Sequence, residues 1–268
     1  MTHNILDKDI KIAEVVNGGL HSLPFVISIP HSGTFITSEM NKILRNDTVL
    51  SNMDWYLPEL YNFLADLGYS VVINKISRYV IDVNRDVDSF TSSEYNKSLI
   101  YTKTTFGREM YSEELSRDVI NDRIRLFYSE YHRALMGMIS KKLEHFSKVY
   151  VIDLHSFGKQ LGADIVLGNG NGRTMSEKTF ECIAGSFIDN GFKVALNAPF
   201  SGGFITKHYG TAGSPIEAVQ IELSYDSYID NRVFGEEELP HINEEIMEGC
   251  RSKLQRIFSE LRTMNRSI

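Results

Sequence analysis

Short apolar runs that alternate with longer amphipathic stretches constrain the fold of this chain most strongly. Phe25–Ile29 (FVISI) is almost entirely apolar, and it stops at a proline that precedes His31. Runs of this kind are typical of strands buried on both faces of a parallel sheet. The pattern therefore predicts an α/β fold with His31 at the carboxyl end of a central strand, where ligands of open α/β sheets bind.

The same alternation continues along the chain and predicts a single α/β domain over residues 1–268. We expect a mainly parallel sheet covered by helices on both faces. The expected strands are Ile10–Val16, Phe25–Ile29, Ser70–Ile76, Lys148–Leu154, Asp164–Gly168, Phe192–Leu196 and Ile216–Leu223. The expected helices are Asp54–Leu67, Ile120–Phe146, Ser176–Asn190 and Asn243–Arg262. Residues 87–110 are polar and aperiodic, which fits either a lid or a plain surface loop.

Charge and composition narrow the class of partner. The chain has a net charge of −7 and no basic block, which argues against nucleic acid or an anionic membrane as its partner. No apolar run approaches the ~20 residues that cross a bilayer, and the amino terminus has no apolar stretch typical of a signal peptide. Cys182 and Cys250 lie far apart and are expected to be reduced. We expect a cytoplasmic protein, and a local arginine cluster would still allow a small anionic substrate.

Two histidines follow apolar runs and precede serines, His31 in IPHSG and His155 in DLHSFG. Two imidazoles at neighbouring strand ends could begin a zinc site, which needs a third protein ligand and an open position. Asp153 either points elsewhere or supports His155 from outside the ligand set. His31 could instead cap its strand, and Asp54 is explained equally well as a helix cap. The carboxylates considered as third ligand are Asp54, Asp82, Asp86 and Asp153.

The segment SRYVIDVNRD contains two arginines and an asparagine suited to binding carboxylates. Arg78 and Arg85 flank its apolar centre, and Asn84 adds an amide. Arginine binds carboxylates bidentately and stabilises developing oxyanions. The alternative is a strand with solvated arginines at its ends. The sequence alone leaves both interpretations open.

Two further segments stand out in the last third of the sequence. Glu222 ends the otherwise apolar run AVQIEL, and a buried carboxylate is costly unless it is paired, ligated or catalytic. A salt bridge would explain it without any chemistry. Gly202 and Gly203 would let the backbone approach a ligand closely, although a tight turn explains them equally well.

The order of these segments resembles the N-formylglutamate amidohydrolase (deformylase) family. The matching segments are IPHSG, DWYLPELY, SRYVIDVNRD, YHRAL, VIDLHS, NAPFSGGFITKHYG and AVQIEL, which span Pro24–Tyr228. That family belongs to the zinc carboxypeptidase and aspartoacylase superfamily. The resemblance implies a three-layer α/β/α fold with a twisted, mixed central sheet. It also implies a zinc-dependent amidohydrolase that acts on a linear amide, N-formyl-L-glutamate, in histidine degradation.

The resemblance also implies a metal site. By similarity to the family, His31 and His155 are ligands of one zinc ion or another divalent metal. Zinc carboxypeptidases carry a glutamate three residues after the first histidine, whereas Thr34 stands there in this chain. The third ligand must come from elsewhere, and we assign it to Asp54.

Catalytic and substrate-binding roles follow from the same resemblance. Glu222 corresponds to the acid that activates water, and Arg78 to the arginine that polarises the scissile carbonyl. The substrate, a small anionic N-acyl amino acid, would be held by Asn84, Arg85, Gly203 and Thr206. Two alternatives are a hydrolase of another N-acyl amino acid or small peptide, and a metal-binding relative without catalysis. Glu222 and Arg78 together argue against the second, because a pure binder needs neither.

Overall fold

A computed structural model describes residues 10–19, 22–89, 95–229 and 241–264 of the chain. The strands within these ranges are β1 (Ala13–Val16), β2 (Phe25–Ile29), β3 (Ser70–Asn74), β4 (Val149–Phe157), β5 (Ile165–Gly168), β6 (Val194–Leu196) and β7 (Ile216–Ser224). The α-helices are α1 (Ser38–Ile43), α2 (Leu57–Leu60), α3 (Arg117–Arg123), α4 (Ser129–Leu143), α5 (Glu177–Asp189), α6 (Phe204–Tyr209) and α7 (Glu244–Met264). The first nine residues, on which the expectation about the amino terminus partly rests, lie outside the described ranges. None of the described helices is both long and apolar enough to cross a membrane.

The strands form one mixed sheet in the order β1-β3-β2-β4-β7-β5-β6. The pairs β2–β3, β2–β4, β4–β7 and β5–β6 are parallel, whereas β1–β3 and β5–β7 are antiparallel. The predicted mainly parallel, mixed sheet is therefore confirmed. Because β2, β4 and β7 are parallel neighbours, their carboxyl ends meet at one edge. That edge holds His31, which follows β2, and pairs His155 of β4 with Glu222 of β7.

Helices cover both faces of the sheet, as the three-layer α/β/α prediction requires. Ser28 of β2 lies 2.8 Å from the hydroxyl of Tyr131 on α4. Phe25 of the same strand packs against Tyr69, which contacts Phe258 of α7. Since side chains alternate along a strand, Ser28 and Phe25 face opposite sides. The helices α4 and α7 therefore lie on opposite faces.

The predicted helix Asp54–Leu67 is wrong in its first part. Tyr56 has a positive φ of 56° and is the residue before α2, which carries no side-chain cap. A 3-10 turn, Asn62–Leu64, follows α2 in place of a continuous helix. Asp54 thus lies in a loop three residues before α2, and its interpretation as a helix cap is wrong.

The other differences concern short or irregular segments. The predicted helix over 120–146 is divided by one π-helical turn, Ile124–Tyr128, between α3 and α4. The short helices α1 and α6 were not expected. In the excursion after residue 87, Leu99 and Tyr101 are buried, and the N–H of Asp82 donates to the carbonyl of Leu99 at 2.8 Å. This part of the excursion packs against the segment that carries Arg78, so it is not a plain surface loop.

Candidate active site

His31, Asp54 and His155 meet at the carboxyl edge of the sheet. One ligand atom from each residue lies within 4.8 Å of the others, and all three residues are buried. Asp54 Oδ2 is 2.9 Å from His155 Nδ1 and 3.7 Å from His31 Nδ1. Two imidazole nitrogens and a carboxylate oxygen are a ligand set that suits zinc. The donor chemistry and spacing therefore fit a metal ion.

The loop that carries Asp54 is fixed by backbone contacts on both sides. The N–H of Asp54 donates to the carbonyl of His31 at 3.3 Å, and the hydroxyl of Ser32 donates to the carbonyl of Asp54 at 2.6 Å. The hydroxyl of Tyr228 donates to the carbonyl of Trp55 at 2.8 Å. These partners come from distant parts of the chain. They fix the Asp54 carboxylate in a loop, a position that helix propensity alone would not predict.

Each histidine is oriented by a second carboxylate. His31 Nε2 lies 2.7 Å from Asp82 Oδ1, and His155 Nε2 lies 2.9 Å from Asp153 Oδ2. Such contacts fix the tautomer and the ring orientation of a metal-binding histidine. Both rings consequently direct Nδ1 toward Asp54. Asp153 can act in this way because residues two apart in a strand share a face.

Asp54 and Asp82 remain ionised despite their burial. Burial alone would raise the pKa of Asp54, but hydrogen bonds from His155 and His31 outweigh it and hold that pKa below its usual range. Burial likewise acts to raise the pKa of Asp82. The positive charges of Arg85 and Arg78, together with a hydrogen bond from His31, outweigh burial and hold the Asp82 pKa well below its usual range. Asp86, the remaining candidate ligand, does not line the cavity and accepts the N–H of a neighbouring residue.

The two arginines are neither solvated nor at the ends of a strand, so that alternative is wrong. Arg78 Nη2 donates to Asp82 Oδ2 at 2.9 Å and to the hydroxyl of Tyr101 at 3.0 Å. Arg85 Nη1 donates to the carbonyl of Asn84 at 2.9 Å. The Nε atoms of both arginines are buried, and among the described residues neither has a hydrogen-bond partner. The segment forms turns that hold both guanidinium groups beside the metal-binding cluster.

Gly203 permits a close contact with Asn84. The N–H of Ile205 donates to Asn84 Oδ1 at 2.8 Å, which fixes the orientation of the amide. Asn84 Nδ2 then lies 3.1 Å from His155 Nε2. A Cβ added at Gly203 would lie 2.3 Å from Asn84 Nδ2. Any other residue here would displace the amide from the site.

The structure does not place Thr206 with the other predicted site residues. Thr206 is fully buried and does not line the cavity. Its Cγ2 atom would lie 3.1 Å from a Cβ added at Gly202, a residue with a φ of 117°. Thr206 therefore packs beneath the glycine turn.

Glu222 is buried and lines the cavity. Gln220 Nε2 donates to Glu222 Oε1 at 2.7 Å, and Gln220 Oε1 accepts the N–H of Gly203. Because that N–H fixes the orientation of the Gln220 amide, its nitrogen must face Glu222. Within the described part of the chain Glu222 has no ion-pair partner, so the salt-bridge alternative is wrong. Burial raises the pKa of Glu222 to about 8.

These side chains surround a cavity of about 610 Å³, a size suited to a small molecule. Tyr95 and Thr105 from the excursion form part of its wall. Sequence reasoning missed Gln220, although its alternate position in AVQIEL puts it on the same face as Glu222. The predicted site residues that line the cavity are His31, Asp54, Arg78, Asn84, Arg85, His155, Gly203 and Glu222.

The comparisons with known proteins agree on one family. The family model described as N-formylglutamate amidohydrolase matches residues 23–229. An N-formylglutamate deformylase of Pseudomonas putida is 31% identical over 220 residues, which cover 78% of this chain and 82% of that protein. One from Pseudomonas aeruginosa is 29% identical over 234 residues, covering 82% and 87%.

A solved structure supports the fold. The N-formylglutamate amidohydrolase of Ralstonia eutropha JMP134 superposes with a TM-score of 0.81 at 21% identity, covering 97% of this chain and 100% of that one. The family match spans the segments that carry the metal-binding cluster, Arg78 and Glu222. The chain belongs to the N-formylglutamate amidohydrolase family.

Proposed function

We propose that this protein is a metal-dependent amidohydrolase that converts N-formyl-L-glutamate to formate and L-glutamate, a reaction of histidine degradation in the cytoplasm. The observation that carries the proposal is the buried His31–Asp54–His155 cluster, which opens into the same cavity as Glu222 and two arginines. The names of the two deformylases from Pseudomonas support this choice of substrate.

The metal-binding residues would be His31, Asp54 and His155, which together would hold one zinc ion. The orientation of both rings by Asp82 and Asp153 favours neutral imidazoles that present Nδ1 as the ligand atom. When bound, zinc supplies a Lewis acid that polarises a carbonyl and makes water acidic near neutral pH.

Glu222 is the proton carrier. In its ionised form, the Glu222 carboxylate accepts a proton from water as the water oxygen forms a bond to the formyl carbon. The same group then donates that proton to the nitrogen as the carbon–nitrogen bond breaks, which releases formate and the free amine. Within the part of the chain that the structure describes, Gln220 is the one hydrogen-bond donor to Glu222, which leaves the second carboxylate oxygen available for this exchange.

Arg78 and Arg85 act on negative charge. Arg78 is held by Asp82 and Tyr101, so its guanidinium is already oriented when the carbonyl oxygen gains negative charge. Removing one such donor typically costs ~10²–10³ in rate. Arg85 and the Asn84 amide bind a carboxylate of the substrate, since arginine and amide donors match its two oxygens. The backbone at Gly203 gives the substrate room beside that amide.

A substrate panel tests this proposal. N-formyl, N-acetyl and N-succinyl derivatives of glutamate, together with N-formyl derivatives of neutral amino acids, are assayed for release of the acid and the amine. We expect N-formyl-L-glutamate to give the highest kcat/KM. If another derivative is cleaved faster, that derivative is the preferred substrate and the proposed one is wrong. A protein that binds one metal ion but cleaves none of them would be a binding relative without catalysis.

A further inference from the structure

The charges that line the cavity differ from the balance of the whole chain. The protein carries a net charge of −7. The cations that line the cavity are Arg78, Arg85, Lys159 and Lys207, and the carboxylates are Asp54 and Glu222. Asp54 is already engaged by the two histidines. The cavity is therefore locally cationic and favours an anionic ligand.

The four cations lie at two depths. Arg78 is buried, and both Arg78 and Arg85 approach Asp82, at 2.9 and 3.7 Å respectively. Lys159 and Lys207 are exposed at the mouth, and within the described ranges neither has an ion-pair partner. The arginines are thus partly neutralised by the protein, whereas the lysine charges remain available to a ligand.

Both lysines lie in or close to segments that carry residues of the site. Lys207 lies on α6, and its N–H donates to the carbonyl of Gly203 at 3.2 Å. The same helix is tied to the site by the bond between Ile205 and Asn84. Lys159 lies two residues beyond β4, whose side chains include His155. Their backbones are fixed relative to the metal-binding cluster, while their flexible side chains can adjust to a charge.

The proposed substrate carries two carboxylates at different distances from the reacting amide. The α-carboxylate is attached to the carbon next to the amide nitrogen, so it must lie close to the reacting atoms, where Arg85 and Asn84 are. The side-chain carboxylate lies at the end of two methylene groups, so it can lie farther from the reacting atoms. We propose that Lys207 and Lys159 form the subsite for this second carboxylate and so select acidic N-acyl amino acids. This inference rests on the proposed function.

The double variant Lys159→Gln/Lys207→Gln tests the subsite. It is compared with the wild type on N-formylglutamate and on N-formylglutamine, which has a neutral side chain of nearly the same shape. We expect kcat/KM for N-formylglutamate to fall by about tenfold, mainly through KM, because exposed charge pairs contribute modestly. The value for N-formylglutamine should hardly change.

Matched controls separate this effect from a general loss of charge. Lys178 is exposed on α5 and does not line the cavity, so Lys178→Gln should leave both substrates unaffected. Salt should reduce the preference of the wild type for N-formylglutamate, and it should have less effect on the double variant. Equal losses on the two substrates, or no loss on either, would overturn the inference.

A binding measurement keeps the inference separate from the proposed function. Glutarate carries two carboxylates with the same carbon spacing as glutamate and undergoes no hydrolysis. We expect calorimetry to show about tenfold weaker binding of glutarate to the double variant. If the wild type releases no formate, the proposed function is wrong, and glutarate binding still decides the subsite. Unchanged glutarate binding would refute the subsite even in an active enzyme.

Discussion

Strand β7 buries two glutamates, one near each end, whose surroundings differ. Glu217 is fully buried and accepts hydrogen bonds from Lys148 Nζ at 3.1 Å, the N–H of Gly213 at 2.9 Å and the hydroxyl of Ser176 at 3.2 Å. Glu222 has one amide donor and faces the cavity. A buried carboxylate with several donors and a cation is stable and inert. One that lacks a cation and has a free oxygen is suited to proton transfer.

The comparison also separates the two ends of the sheet. At the amino end of β7, the bonds of Glu217 tie the strand to its neighbouring loops. At the carboxyl end, three parallel strands bring Glu222 close to His31 and His155. The same residue type therefore stabilises the fold at one end and is available for chemistry at the other.

The largest expected effect comes from making the same substitution at both glutamates. Glu222→Gln should lower kcat by about 10³-fold because it removes the proton carrier, without loss of stability. Glu217→Gln should keep kcat but lower the free energy of unfolding by about 1–3 kcal/mol, because it weakens a buried bonded network. Steady-state kinetics and urea denaturation measure the two effects. Similar losses of kcat in both variants would contradict the different roles assigned to Glu217 and Glu222.

A second prediction concerns carboxylates that contact the histidines. Asp82→Asn and Asp153→Asn should each weaken metal binding by about 10–100-fold, because each removes the acceptor that orients an imidazole. Among the described residues Glu222 makes no hydrogen bond to either histidine, so Glu222→Gln is the control and should bind metal normally. Calorimetric titration of the metal-free proteins gives the affinities. Unchanged affinity in both aspartate variants would show that the histidines need no such support.

A third prediction concerns the inner carboxylate subsite. Arg85→Ala should raise KM for N-formylglutamate by about tenfold or more, because a bidentate charge-assisted contact is lost. KM should change much less for N-formylisoglutamine, in which the α-carboxylate is an amide. Initial-rate kinetics on both substrates provide the test. Equal changes would refute the contact between Arg85 and the α-carboxylate.

The smallest expected effect is a change of stability with pH and concerns His132. Burial lowers the pKa of His132 to about 4, and its two nitrogens contact the hydroxyl of Tyr209 and the carbonyl of Val83. The unfolded chain binds a proton near pH 6.5, whereas the folded chain does not until about pH 4. Stability should therefore fall by about 2–3 kcal/mol as pH drops through this window.

Urea denaturation at pH 7 and at pH 4.5 measures this loss of stability. The His132→Gln variant should not show it. If the variant keeps the full pH dependence of stability, another titratable group causes it. Glu222 offers the contrast, since its raised pKa should lower stability as pH rises from about 4.5 to about 8, and its titration should also change kcat.

Local sequence pattern predicted the central strands and the residues at their ends. The bounds of β2 were predicted correctly because an apolar run stops at Pro30. His31, His155 and Glu222 could be singled out because each stands at or near the end of such a run, and parallel strands must bring those ends together. This part of the fold follows from local order along the chain.

The remaining features depend on contacts between distant segments. The helix expected from Asp54 begins late because Tyr56 has a positive φ and Tyr228 holds the preceding carbonyl. The direction of Thr206 could not be predicted because α6 is only six residues long and was not expected. The position of Lys207 at the mouth depends on the same helix.

The central claim is that the His31–Asp54–His155 cluster holds a metal ion required for deformylation. The most direct test is to remove metal exhaustively by chelation, confirm its absence by elemental analysis, and measure formate release while zinc is added back. We expect no formate from the metal-free protein and full activity at one zinc ion per chain. Undiminished formate release from protein shown to contain no metal would contradict it.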